Sequence, residues 1–201
     1  MNKPLILGLT GSIGMGKSAV AAMFEGFGIP VFDADAEVRR LQGPGGALLP
    51  AIETAFPGST GPEGVRRDAL GAQVFGDAEA LARLESIVHP AVAERRAIFL
   101  RANADAPLIV FDIPLLFEKG GHSAVDRVVV VSAPLMIQRE RVLARAGMTE
   151  ERFARILALQ TPDAEKRARA HHVIDTGGSL AETERAVLTL IESLLGDPAE
   201  G

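Results

Sequence analysis

The stretch Gly11-Ser12-Ile13-Gly14-Met15-Gly16-Lys17-Ser18 fits the pattern GxxxxGK[ST], with the apolar run Leu5-Ile6-Leu7-Gly8-Leu9 before it and a helix-like stretch after it. Between a strand and a helix, such glycines let the backbone curl until successive N–H groups face inward, and the helix adds its positive end. The chemistry implied is the cradling of a nucleoside triphosphate. Lys17 has the length to reach β- and γ-phosphates, and the Ser18 hydroxyl suits a Mg²⁺ bridging them. The competing reading, a Gly-rich turn that only caps a helix, does not explain the flanking strand.

A phosphate loop specifies a nucleotide and not a reaction, so the acidic residues that follow strands matter next. Asp33-Ala34-Asp35 comes directly after Ile29-Pro30-Val31-Phe32, and in an open parallel sheet the carboxyl ends of the strands face the ligand crevice. Asp33 is placed to accept a proton from an acceptor hydroxyl and align it for attack; the rival role is helix capping, for which Asp35 is the better candidate. Asp112 ends Leu108-Ile109-Val110-Phe111-Asp112, as a carboxylate that holds Mg²⁺ through water or as a plain strand-ending polar residue. Beyond it, Ile113-Pro114-Leu115-Leu116-Phe117-Glu118 offers Leu115 and Leu116 either to an acceptor pocket or to the core.

Arg139, Arg141, Arg145, Arg152 and Arg155 punctuate a helical stretch. Arg141 and Arg145 are four apart, hence expected on one helical face, where an anion would have to join them. A lid bringing Arg141 to the transferring phosphoryl group and Arg145 to the nucleotide would neutralise charge and exclude water. Solvated arginines paired with Glu140 or Glu151 are the alternative. Arg39 follows the Asp pair and can reach an anionic acceptor. His171 and His172 are adjacent and make no chelating pair, while Pro90 is expected to place His89 at a helix junction.

These side chains need a scaffold, and the chain supplies an α/β one. Apolar runs at Leu5–Leu9, Ile29–Phe32, Leu108–Phe111, Val128–Val131 and Val173–Ile174 alternate with helical segments, the pattern of a parallel sheet covered by helices. Between the second and third runs no strand is expected; Asp77–Leu84 and Ala91–Ala104 read as helices. Gln42–Gly46 and Phe56–Pro62 bound helices within that insertion. From Pro134 to Ala170 a helical hairpin is expected with one break at Ala146–Thr149, Thr149 capping the second helix. Asp197–Gly201 is expected to fray.

The 201 residues suggest one domain, 47% hydrophobic and ample for a core, with no cysteine for a disulfide, thiolate metal site or thiol catalysis. A net charge of −5 without a basic run argues against nucleic acid as a partner. The first apolar stretch is too short for a signal peptide or a membrane span, so a cytoplasmic location is the default expectation.

Taken together, Leu9–Ser18, Ile29–Asp35 with Arg39, His89-Pro90, Pro114-Leu115-Leu116-Phe117-Glu118, Gln160 and Val173-Ile174-Asp175 resemble the dephospho-coenzyme A kinase family across nearly the whole chain. The resemblance implies a P-loop kinase fold of three layers: a central parallel five-stranded sheet, a helical acceptor-binding insertion and a helical lid. It implies a single domain over 1–201, with core about 1–42, 105–134 and 171–196, insertion about 43–104 and lid about 135–170. It further implies ATP and Mg²⁺ as cofactors and dephospho-coenzyme A as substrate. Asp33 becomes the catalytic carboxylate beside Lys17; Arg39, His89, Pro90, Leu115 and Leu116 become acceptor-site residues, and Arg141 and Arg145 lid residues near the phosphates. No membrane partner and a monomer or weak homo-oligomer are expected. Where family members carry an Asn-rich turn near the adenine, this chain has Thr176-Gly177-Gly178, so base contacts through side chains are not implied. The remaining alternatives are a kinase for another small hydroxylated metabolite or nucleoside monophosphate, and a nucleotide-dependent switch.

Overall fold

The computed structural model describes residues 3–118 and 120–196; the expectation for 197–201 lies outside the described residues. The chain forms two compact units, Met1–Phe32 with Asn103–Gly201 and, separately, Asp33–Ala102.

The first unit is built on the apolar runs. Strands β1 (Leu5–Thr10), β2 (Val31–Asp33), β5 (Leu108–Asp112), β6 (Arg127–Ser132) and β7 (His172–Asp175) form one five-stranded sheet in the order β2-β5-β1-β6-β7. The β1 strand is central, pairing in parallel with β5 (Leu7 opposite Val110) and with β6 (Leu9 opposite Val129), and β6 pairs with β7 (Val130 opposite Val173). Because side chains alternate along a strand, β6 divides its valines between two cores. Val129 and Val131 join Leu7, Leu9, Phe24 and Val187, whereas Val128 and Val130 join Leu116 and Phe117. This double coverage is why β6 reads as an unbroken apolar run.

Helix α1 (Lys17–Gly26) buries Val20, Ala21 and Phe24 and then stops sharply. Gly28 takes a left-handed conformation, its N–H donating to Glu25 and that of Ile29 to Phe24. This Schellman arrangement returns the chain to the sheet at β2. Helices α6 (Leu135–Leu143), α7 (Glu150–Ala158) and α8 (Asp163–Ala168) follow β6, and α9 (Leu180–Gly196) follows β7. The Thr149 hydroxyl caps α7 by accepting from Arg152 N at 3.2 Å, as expected. The expected hairpin has a second break, however, because Pro162 has no N–H to continue a helix and turns Thr161 away from helical geometry.

The second unit comprises α2 (Ala34–Gln42), α3 (Leu49–Ala55), a short antiparallel pair β3 (Thr60–Gly61) and β4 (Gly64–Val65), α4 (Arg67–Val74) and α5 (Ala78–Ala102). The strand pair corrects the expectation of none. Its anchor is Glu53, whose carboxylate accepts from Gly58 N, Thr60 N and Thr60 Oγ1 at 2.7–3.0 Å. A second correction concerns Pro90, which lies inside the continuous α5 and leaves His89 in the helix. The missing N–H and the ring clash cost about 3 kcal/mol. Packing of Ile87, Val88, Ala91 and Val92 against the cluster of Leu41, Ile52, Phe56 and Leu70 offsets that cost.

Candidate active site

The loop Gly11–Ser18 leaves β1 at the centre of the sheet and enters α1, whose N-terminus carries no side-chain cap. Gly14 and Gly16 have φ of 79° and 87°, a conformation that other residues adopt only with strain. Neighbours also forbid a side chain. A Cβ on Gly11 would lie 2.7 Å from Val131 O, and one on Gly14 would lie 2.4 Å from Val142 Cγ2. Sheet and α6 therefore press on the loop from outside. Gly14→Ala is expected to cripple MgATP binding, through loss of both the turn and this close approach, as read by nucleotide titration.

Lys17 Nζ pairs with Asp112 Oδ1, the cation at the start of α1 and the carboxylate at the end of β5. Asp112 is buried at the strand end beside Leu9, and Ser18 is exposed at the mouth of the loop. A hydroxyl and a carboxylate are the hard oxygen donors that suit Mg²⁺, which keeps most of its own waters.

Thr176 grips the loop from the far strand. Its hydroxyl donates to Met15 O at 2.7 Å, and its N–H donates to Ser132 O. Arg141 in turn donates to Thr176 Oγ1 at 3.0 Å and to Thr176 O at 2.6 Å. Arg141 thus sits against the turn after β7. The expected pairing of Arg141 and Arg145 on one helical face does not form, because α6 ends at Leu143 and Arg145 lies exposed beyond its cap. Arg141, Thr176, Gly16, Gly178, Leu180 and Thr183 line a cleft of about 210 Å³ beside the loop. Arg139 pairs with Glu150, with neither Glu140 nor Glu151, the partners named in the alternative reading of these arginines.

Asp33 ends β2 and caps α2, its Oδ1 accepting from Ala36 N at 2.8 Å. The cap is therefore Asp33, and Asp35 stands in the first turn. The other carboxylate oxygen accepts from Arg39 Nη2 at 3.3 Å, in a pair open to solvent. Within the same unit, Asp35, Arg39, Gln42, Arg67, Leu70 and Val74 are among the residues lining a cleft of about 460 Å³. His89 and Pro90 are exposed on α5. Leu115 is half-buried, but Leu116 is fully buried against Phe117, Val128 and Val130. Leu116 is a core residue and not a pocket wall.

Gln138 and Lys166 carry no signal in the sequence, since one polar residue in a helix has no periodic pattern. His171 Nδ1 accepts from Val128 N at 3.0 Å. The neighbouring His172 is held below the usual imidazole range by burial first, then by His171 and Arg127. Among the described residues no helix is long and apolar enough to cross a membrane.

The family model described as dephospho-CoA kinase matches residues 5–182. A dephospho-CoA kinase of Novosphingobium aromaticivorans is 66% identical over 194 residues, covering 96% of both chains. Among solved structures, TT1252 from Thermus thermophilus superposes with a TM-score of 0.81 at 38% identity, covering 96% of this chain and 99% of that one. A dephospho-CoA kinase from Campylobacter jejuni shares the fold, with a TM-score of 0.65 at 21% identity over 94% of this chain and 96% of that one. With a glycine loop at the centre of a parallel sheet, a lysine and carboxylate paired beside it, and a family match spanning both units, the chain belongs to the dephospho-CoA kinase family of P-loop kinases.

Proposed function

We propose that the chain transfers the γ-phosphoryl group of MgATP to the ribose 3′-hydroxyl of dephospho-coenzyme A, forming coenzyme A and ADP. The family match over residues 5–182 carries this reading, since a phosphate loop alone serves many nucleoside triphosphates. Asp33, free to turn one carboxylate oxygen from Arg39 while the other keeps its cap, orients the hydroxyl and takes its proton. Arg39 is then available to an acceptor anion, with His89 and Pro90 as further acceptor-side residues.

Lys17 leaves Asp112 for the phosphates as the loop amides surround them, and positioning supplies most of the rate. Ser18 and, through water, Asp112 would hold Mg²⁺, which neutralises the charge developing on the phosphate oxygens. We assign Arg141 to the base side of the nucleotide, because it lines the cleft formed with Thr176 and Gly178. The exposed Arg145 and Arg155 remain to approach the phosphates.

The test is ADP release from MgATP with and without dephospho-coenzyme A, with the product read by mass. The expected result is one added phosphoryl group on that acceptor, absent in Lys17→Ala. ADP without that product would move the reading to other hydroxylated acceptors.

A further inference from the structure

Both peptide units that flank Ile13 in the phosphate loop are held by side-chain amides from outside the loop. The Ile13 N–H donates to Gln160 Oε1 at 3.1 Å, and the Ile13 carbonyl accepts from Gln138 Nε2 at 2.7 Å. Gln138 belongs to α6, and Gln160 to the turn between α7 and α8. The two glutamines therefore lie on the outgoing and returning limbs of the lid segment. Gln138 is buried, and its helix rests on Gly14.

Gln160 has its own anchor. Glu118 Oε1 accepts from the N–H of the adjacent Thr161 at 2.8 Å and lies 2.9 Å from the fully buried Lys166 Nζ. Gln160 is thereby fixed by an ion pair between the segment after β5 and α8.

We propose that Gln160 and Gln138 are positioning residues that preset the phosphate loop for the triphosphate, so that the lid segment and the anion nest are mechanically one piece. The inference rests on the nucleotide reading of the loop. A glycine-rich loop is costly to order, and its inward amides repel one another until an anion arrives. Clamping the Ser12–Ile13 and Ile13–Gly14 peptides meets that cost before binding without using the N–H groups of Gly14, Gly16, Lys17 and Ser18, which is preorganisation. It also makes α6 a fixed wall. The movable part of the lid is then the stretch between the two glutamines that carries α7, Arg145, Arg152 and Arg155.

The test is direct MgATP binding by calorimetry, without acceptor, in wild type, Gln160→Met and Gln138→Met, alongside hydrogen exchange of the peptide containing Ile13. Gln160→Met is expected to speed exchange at Ile13 and weaken MgATP binding by about 3- to 10-fold, the size of one net hydrogen bond. The KM for ATP rises by a similar factor, while kcat, the KM for dephospho-coenzyme A and the unfolding midpoint change little. Gln138 is buried, so the half-exposed Gln160 decides the case if Gln138→Met fails to fold. Faster exchange with unchanged MgATP affinity overturns the proposal, as does a loss that affects both substrates equally. Failure of wild type to bind MgATP would instead strike the functional reading beneath it.

Discussion

Asp33→Asn lowers turnover by about 10²- to 10⁴-fold, the range for loss of a positioned acid–base group, while MgATP affinity and the unfolding midpoint stay where they are. The variant is informative because Asp33 has two occupations. One oxygen caps α2 through Ala36 N, and asparagine caps a helix about as well as aspartate. The solvent-open pair with Arg39 belongs to a class worth about 0–1 kcal/mol, so its loss hardly affects the fold. What asparagine cannot do is take a proton from a hydroxyl. Asp33→Ala, by contrast, removes the cap as well and should lose about 1 kcal/mol of stability on top of the same kinetic defect. Turnover within tenfold of wild type in Asp33→Asn, measured by product mass at saturating substrates, would remove Asp33 from the base role.

The same residue shows what a linear sequence conveys. Asp33 was legible as a strand-ending acid because Ile29–Phe32 is apolar and the segment after Asp35 is helical, but which of the two acids caps was not. That choice turns on where the backbone leaves extended geometry, a matter of one residue. The inner strands β1, β5 and β6 were legible because burial on both faces forces consecutive apolar residues, as in Val128–Val131, whereas the edge strand β7 shows only Val173-Ile174 between polar residues, with Val173 exposed. Pro90 misled because local chemistry argues for a break, whereas tertiary packing on both sides of it holds α5 together. The β3–β4 pair was hidden since it rests on Glu53 reaching around a turn, and not on a periodic pattern.

The least legible parts of the site were contacts between distant polar residues. Arg141 reads as one of several helix arginines until Thr176, 35 residues on, is found beneath it. Gln138 and Gln160 meet at Ile13 across separations of 125 and 147 residues. Sequence spacing can place two side chains on one helical face, as it did for Arg141 and Arg145, but it cannot foresee that the helix ends between them at Leu143.

Lys166 belongs with these hidden residues, and its removal is expected to have the largest effect on stability. Lys166→Met keeps the apolar stem but strips the cation from Glu118, leaving a carboxylate that is only 13% exposed at the side chain. Removing one partner of a buried pair costs about 3–5 kcal/mol; the lower end is expected here because Glu118 retains the Thr161 N–H. The pH dependence separates this from simple loss of packing. In wild type, burial alone would raise the Glu118 pKa, but Lys166, its own N–H and that of Thr161 outweigh burial and hold it below 4.5. Its contribution is therefore full above the unfolded carboxyl value and fades as pH falls through the lower folded one. Without Lys166 burial acts against fewer counterweights, the folded-state pKa rises, and protonation relieves the variant as pH falls. The difference in urea midpoint between wild type and Lys166→Met should thus narrow from pH 7 towards pH 4.5, and Glu118→Gln added to Lys166→Met should recover much of the deficit. An equal deficit at both pH values, with no recovery in the double variant, would mean that Lys166 acts through its stem and not its charge. If the deficit is electrostatic, the anchor of Thr161 loosens with it, and the folded fraction of Lys166→Met should share the weakened MgATP binding of Gln160→Met.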